Sequence, residues 1–221
     1  MAEWVQAQSL ALDPSFRRLP REQRCEAAAA FCRAQRAPSG TCTAWYSMLR
    51  SDAQVLTWRL AETSEDLEEA SAGVLSIGLG RWLTPRHSFW GRLAASPYVR
   101  RERPAVPPLF AGERLRHLVV YPFSKTAEWY LLDADERRRL MADHIRVGHA
   151  HTSISQLLAY SYGLDDQEFL IAYEMDDLAD FSDLVRDLRS TEARRYTALD
   201  TPVLTGSHRQ PEDIARLLGA I

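Results

Sequence analysis

Two stretches of this chain lie over two later stretches, and that internal repeat constrains the fold more than any single motif. LPREQRCEAAAAFCRA, from Leu19, lies over LDADERRRLMADHIRV, from Leu132, without a gap. SDAQVLTWRLAETSEDLEEA, from Ser51, matches LDDQEFLIAYEMDDLADFSDL, from Leu164; each reads as a turn, a strand, an acidic cap and a helix. Repetition of one set of elements makes each half a supersecondary unit of a duplicated fold. In the gapless overlay Phe31 falls at the place of His144, so one half is specialised at that position.

The remaining elements follow from local signals. Residues 3 to 12 read as a strand closed by Asp13-Pro14. A helix follows Pro20 to about Arg36, with Cys25, Ala28, Ala29 and Cys32 on one face, and Pro38-Ser39-Gly40 breaks it. Thr41–Arg50 and Gln54–Leu60 are rich in aromatic and β-branched residues and form a hairpin around Ser51-Asp52-Ala53. Thr63 offers an N-cap to the next helix, and His87–Leu93 is a short closing strand. In the second half, Arg116–Ser124 is a strand and 133–148 a helix. Ser153–Tyr162 and Gln167–Glu174 form a hairpin, Leu178–Arg189 is a helix and Pro202–Thr205 a last strand. The order β-α-β-β-α-β, twice, predicts an α+β fold: two ferredoxin-like halves forming a dimeric α+β barrel within one chain. The expected boundaries are 1–96 for the first half, 97–115 for a proline- and arginine-rich linker, 116–206 for the second half and 207–221 for a tail helix.

Composition bears on what the chain does not do. At 221 residues and 46% hydrophobic it can bury a substantial core. A net charge of −3 provides no field for nucleic acid or an anionic membrane. No apolar run approaches the ~20 residues that span a bilayer. MAEWVQAQSL lacks the basic-then-apolar order of a secretory signal. Three cysteines without a Cys-x-x-Cys argue against a disulfide framework or a zinc site, and make Cys25 and Cys32 buried free thiols. A cytoplasmic setting is expected.

The chemistry concentrates between Tyr121 and Gln156. On the 133–148 helix, Leu140, Met141, His144, Ile145 and Gly148 form the i, i+3, i+4 stripe, so His144 faces the core. Two readings fit an inward histidine: a core imidazole satisfied by one backbone carbonyl, and a neutral axial ligand facing an apolar cavity. Strand alternation puts His117, Val119, Tyr121 and Phe123 on one face, continued by Lys125. That is a sheet face ending in a solvated lysine, or two contacts on one wide ligand. Alternation also puts Gln156 among Ile154, Leu158, Tyr160 and Tyr162, where a buried amide requires a partner from protein or ligand. His149 and His151 follow His144 across a helix end, a poor metal-chelating arrangement. The arginine run 137–139 is a solvated helix face. Glycine-rich phosphate loops and nucleophile motifs are absent from the sequence.

At YPFSKTAEWYLL, ERRRLMADHIRVG, GLDDQEF and LRSTEARRY the chain resembles the chlorite dismutase family, and within it most closely the coproheme decarboxylase branch of haem biosynthesis. The resemblance covers nearly the whole length and is strongest in 117–206. It implies two ferredoxin-like halves, a homopentamer, and haem in the second half. His144 in M-x-x-H-x-x-x-G matches the iron ligand, Tyr121 the tyrosine oxidised to a radical, Lys125 a propionate contact and Trp129 an aromatic beside the cofactor. Gln156 falls at the distal position, where chlorite-degrading members carry an arginine. An amide cannot supply that charge to an oxyanion leaving group. The implied reaction is the hydrogen peroxide-dependent conversion of coproheme (iron-coproporphyrin III) to haem b. The alternatives are chlorite dismutation, weak peroxidase activity, or non-catalytic haem binding. RSTEARRY departs from the family in carrying Ala193 and Arg194 where relatives have a serine; Arg194 or Arg195 is the substitute carboxylate contact. Arg103 of the linker is expected near a propionate, and Glu192 at His144 Nδ1.

Overall fold

The two helices of the gapless overlay begin at equivalent residues, so the repeat seen in sequence holds in three dimensions. The computed structural model describes residues 3–36, 40–95, 110 and 113–220. The first half contains β1 (Glu3–Leu12), α1 (Arg21–Gln35), β2 (Cys42–Met48), β3 (Val55–Ala61), α2 (Ser64–Ser76) and β4 (Leu83–Leu93). The second contains β5 (His117–Lys125), a short α3 (Ala127–Leu131), α4 (Ala134–His149), β6 (Ser155–Tyr160), β7 (Phe169–Met175), α5 (Leu178–Arg189) and β8 (Thr197–Leu199). β9 (Leu204–Arg209) and α6 (Pro211–Leu217) follow. Strand order within the first half is β4-β1-β3-β2 and within the second β8-β5-β7-β6, the same ferredoxin-like order in both. The fold class is α+β, as the element order predicts.

Capping explains where the helices start. Thr63 Oγ1 accepts from the Asp66 amide at 3.1 Å, Asp133 accepts from the Glu136 amide at 2.8 Å, and Asp177 accepts from the Ala179 amide at 2.8 Å. Each satisfies a backbone donor that a first helical turn leaves open. Gly163, with φ of 68°, takes the left-handed position of the β6–β7 turn that glycine adopts without steric cost.

The chain divides into one compact unit of Met1–Arg92 with Leu204–Ile221, and another of Leu93–Val203. The strand expected over 202–205 is therefore placed differently: Thr197–Leu199 takes the fourth position beside β5, and Leu204–Arg209 pairs antiparallel with β2 of the first unit. α6 buries Ile214 and Ala215 in that unit's core beside Leu10, Phe16, Phe31 and Trp45. On α1 the buried residues are Ala28, Phe31 and Cys32, while Ala29 is exposed, contrary to its expected place on the inner face. Cys32 is buried, Cys25 half-buried and Cys42 exposed, all as free thiols. Among the described residues no helix is long and apolar enough to cross a membrane.

Candidate haem site

The second unit's sheet presents one face built by register. Tyr121 lies opposite Ile171, and Ile171 opposite Leu158; Val119 lies opposite Tyr173, and Tyr173 opposite Gln156. Cross-strand partners share a face, so Tyr121, Tyr173 and Gln156 point to the same side. Leu178, Phe181, Leu184 and Leu188 of α5 pack against this face with Val119, Ile171 and Met175.

α4 contributes much less packing. Its stripe buries Leu140 alone; Met141, His144, Ile145 and Gly148 are only half-buried. Among the described residues, a Cβ added at Gly148 would meet no atom within 4 Å beyond its own helix backbone and chain neighbours. At the equivalent place on α1, Phe31 is fully buried, edge-on to Trp45 at 5.3 Å. Among the described residues, the face of α4 that carries the histidine is thus less filled than its counterpart on α1.

The His144 imidazole lies with Nδ1 3.5 Å from Thr191 Oγ1, which donates its own proton to the Leu188 carbonyl at 2.7 Å. Thr191 Oγ1 is then an acceptor for Nδ1–H, which leaves the lone pair on Nε2. Burial, followed by the positive charge of Lys125, pushes the His144 pKa down to about 4 against the opposing effect of Asp143. The imidazole is neutral near pH 7, the state in which it ligates a metal. Glu192, expected at Nδ1, is exposed and bound to Arg139 at 2.8 Å instead. Its carboxylate is drawn outward by the solvated arginine face of α4.

Lys125 ends β5 at an irregularity between Ser124 and Lys125. Its ammonium stands over the Trp129 ring at 4.4 Å and the Phe123 ring at 5.2 Å, and donates to the Ala193 carbonyl at 3.4 Å. Burial lowers its pKa to about 8, helped by Arg194 and opposed by Glu168. Glu168 also accepts from the Lys125 amide at 2.7 Å and from the Tyr130 hydroxyl at 2.6 Å, fixing the corner where β5 meets α3. Trp129 is buried against Tyr196, ring centroids 5.6 Å apart.

Tyr121 lies near-parallel to Tyr173 at 6.2 Å, and the two hydroxyls share a hydrogen bond. Burial raises the Tyr121 pKa, which keeps it a neutral phenol. The charges that act on it come from Asp200, Arg189 and Arg194. Arg194 pairs with Asp200 at 2.6 Å.

Six of the seven residues singled out in the sequence lie in this unit: Tyr121, Lys125, Trp129, His144, Gln156 and Arg194. Arg103 lies outside the described residues. Gln156 holds its expected face but is exposed, so its amide needs no protein partner. The reading of His149 and His151 ends with His149 exposed and His151 paired to Asp187 at 3.1 Å. The sequence reading did not pick out Tyr173, Thr191, Glu168, Arg189 or Asp200. Alternation along β7 marks Tyr173's face; the other four make contacts that close across turns and carry no periodic signal.

The donor set fits an iron porphyrin: a neutral imidazole, adjacent room along α4, an indole, a phenol, and cations of the kind that hold carboxylates. The family model described as Chlorite dismutase matches residues 21–209. A coproheme decarboxylase from Mycolicibacterium smegmatis (strain ATCC 700084 / mc(2)155) is 32% identical over 168 residues, 75% of this chain and 71% of that one. Among solved structures, a mutant chlorite dismutase from Candidatus Nitrospira defluvii superposes with a TM-score of 0.88 at 24% identity, over 98% of this chain and 94% of that one. The same enzyme in complex with imidazole gives 0.86 at 24% identity, with the same coverage of both chains.

Proposed function

The chain belongs to the chlorite dismutase family, and from that premise we propose that it is a peroxide-dependent coproheme decarboxylase that produces haem b. The observation that carries this reading is the neutral His144 on a half-buried helix face, under the charge of Lys125 and in the unit that also contains Tyr121. The 32%-identical relative named for this activity supports it.

Each turnover converts one propionate: R–CH2CH2–COO⁻ + H2O2 + H⁺ gives R–CH=CH2 + CO2 + 2 H2O. When bound, the iron porphyrin supplies both the substrate carboxylates and the peroxide-derived oxidising power. His144 Nε2 would hold the iron, with Thr191 orienting the ring. Lys125 and Arg194 hold carboxylates. Tyr121, hydrogen-bonded to Tyr173, would relay an electron from the propionate. Gln156 donates a hydrogen bond without adding a cation, in keeping with peroxide rather than chlorite as the oxidant. Arg103, the homopentamer and the cytoplasmic setting belong to the same reading; mass in solution tests the assembly.

The experiment is to add coproheme and hydrogen peroxide and follow porphyrin mass. Two successive losses, each of one CO2 and two hydrogens, are expected. Unchanged porphyrin beside intact protein would overturn the proposal, and rapid oxygen evolution from chlorite would redirect it. Tyr121→Phe is expected to bind coproheme with wild-type affinity and leave its propionates intact.

A further inference from the structure

Asp200 brings the chemistry of a propionate to Arg189 and Arg194. Its Oδ2 accepts from Arg194 at 2.6 Å and lies 3.6 Å from an Arg189 nitrogen. One carboxylate therefore sits between two guanidiniums, and the three groups together carry one positive charge. The cluster belongs to the site: Asp200 directly follows β8, whose Leu199 lies opposite Ser124 and whose Thr197 lies opposite Lys125 on β5, the strand that carries Tyr121, and the cluster's charges act on Tyr121 and Lys125. Asp200 follows β8, in the stretch 200–203 that has no regular secondary structure, so no strand ladder holds it in place. Arg189 and Arg194 keep side-chain exposures of 58% and 40%, which leaves them accessible to a second carboxylate.

We infer that Asp200 is an internal competitor for the reacting porphyrin carboxylate: it pairs with Arg189 and Arg194 in the ligand-free chain, yields them to an incoming propionate, and takes them back once that propionate has become a vinyl group. The inference rests on the decarboxylase reading and adds a specificity-determining residue to it. The incoming carboxylate is that of a reacting propionate because the cluster's charges act on Tyr121, the residue assigned as electron relay. Binding the tetracarboxylate substrate breaks the Asp200 pair; binding the product leaves it intact. Asp200 therefore weakens substrate binding selectively and favours clearing the arginines after reaction. An ion pair of this partly exposed kind is weak enough to be exchanged.

The test is porphyrin affinity of the full chain, read by quenching of tryptophan fluorescence without peroxide. Asp200→Asn is expected to bind coproheme several-fold more tightly while its haem b affinity stays at the wild-type value. Asp200→Glu, which keeps the charge, is expected to restore the wild-type ratio. Equal tightening for both porphyrins, or no tightening for coproheme, would overturn the inference. Failure of the wild-type chain to bind either porphyrin would instead overturn the decarboxylase reading. Should Asp200→Asn not fold, infrared difference spectra of wild-type protein with 13C-labelled aspartate decide the matter. A carboxylate band is expected to shift on adding coproheme and not on adding haem b; a band that does not move refutes displacement.

Discussion

Lys125 stands between opposing influences: burial and Arg194 favour the neutral amine, and Glu168 favours the ammonium. With a pKa near 8 it is protonated below that value and attracts carboxylates there. Coproheme affinity is expected to fall as pH rises through about 8, and Lys125→Met to bind more weakly with that dependence flattened; titrations across pH check both. His144→Ala is expected to abolish the axial-ligand absorption signature with little loss of stability, because the imidazole is only half-buried. The roles expected of Tyr121 and His144 come from the family resemblance; alternation and helical spacing alone predict their faces, since each depends on one element's periodicity. They give a face and not a depth, which is why Gln156 was expected to be buried and is exposed. Glu192 and Thr191 differ by one position, and only the short helical turn after α5 decides which of them faces His144.

At the scale of elements, α1 and α4 are the same helix put to two uses. Phe31→Ala is expected to cost about 3–5 kcal/mol, the usual loss for a fully buried aromatic, measurable by denaturant melts. Gly148→Ala is expected to stabilise the ligand-free chain by about 0.5–1 kcal/mol, since alanine is the better helix former and its Cβ meets nothing. Gly148→Leu is expected to keep the fold and weaken porphyrin binding, because the added side chain occupies the room along α4; melts and titration together separate the two effects. Helix starts were legible because Thr63, Asp133 and Asp177 cap by short-range hydrogen bonds. The partner of β9 was not, because nothing local to Leu204–Arg209 specifies β2, more than a hundred residues earlier.

In the whole molecule, the two halves share one strand order, and among the described residues the equivalent helix is more completely packed in the first than in the second. Adding coproheme is expected to slow hydrogen exchange over 117–125 and 134–149 and to leave 21–35 unchanged, an asymmetry that mass spectrometry of deuterated fragments resolves. The shortfall along α4 also ties the chain's lifetime to porphyrin supply. A helix lacking part of its core opens more often, and a protease cuts the open form. Ligand-free protein is expected to be clipped first within 134–149, and bound porphyrin to suppress that cut in proportion to occupancy. Timed digestion over a coproheme series measures this directly. Abundance would then follow the supply of the molecule the chain processes, with no separate regulator.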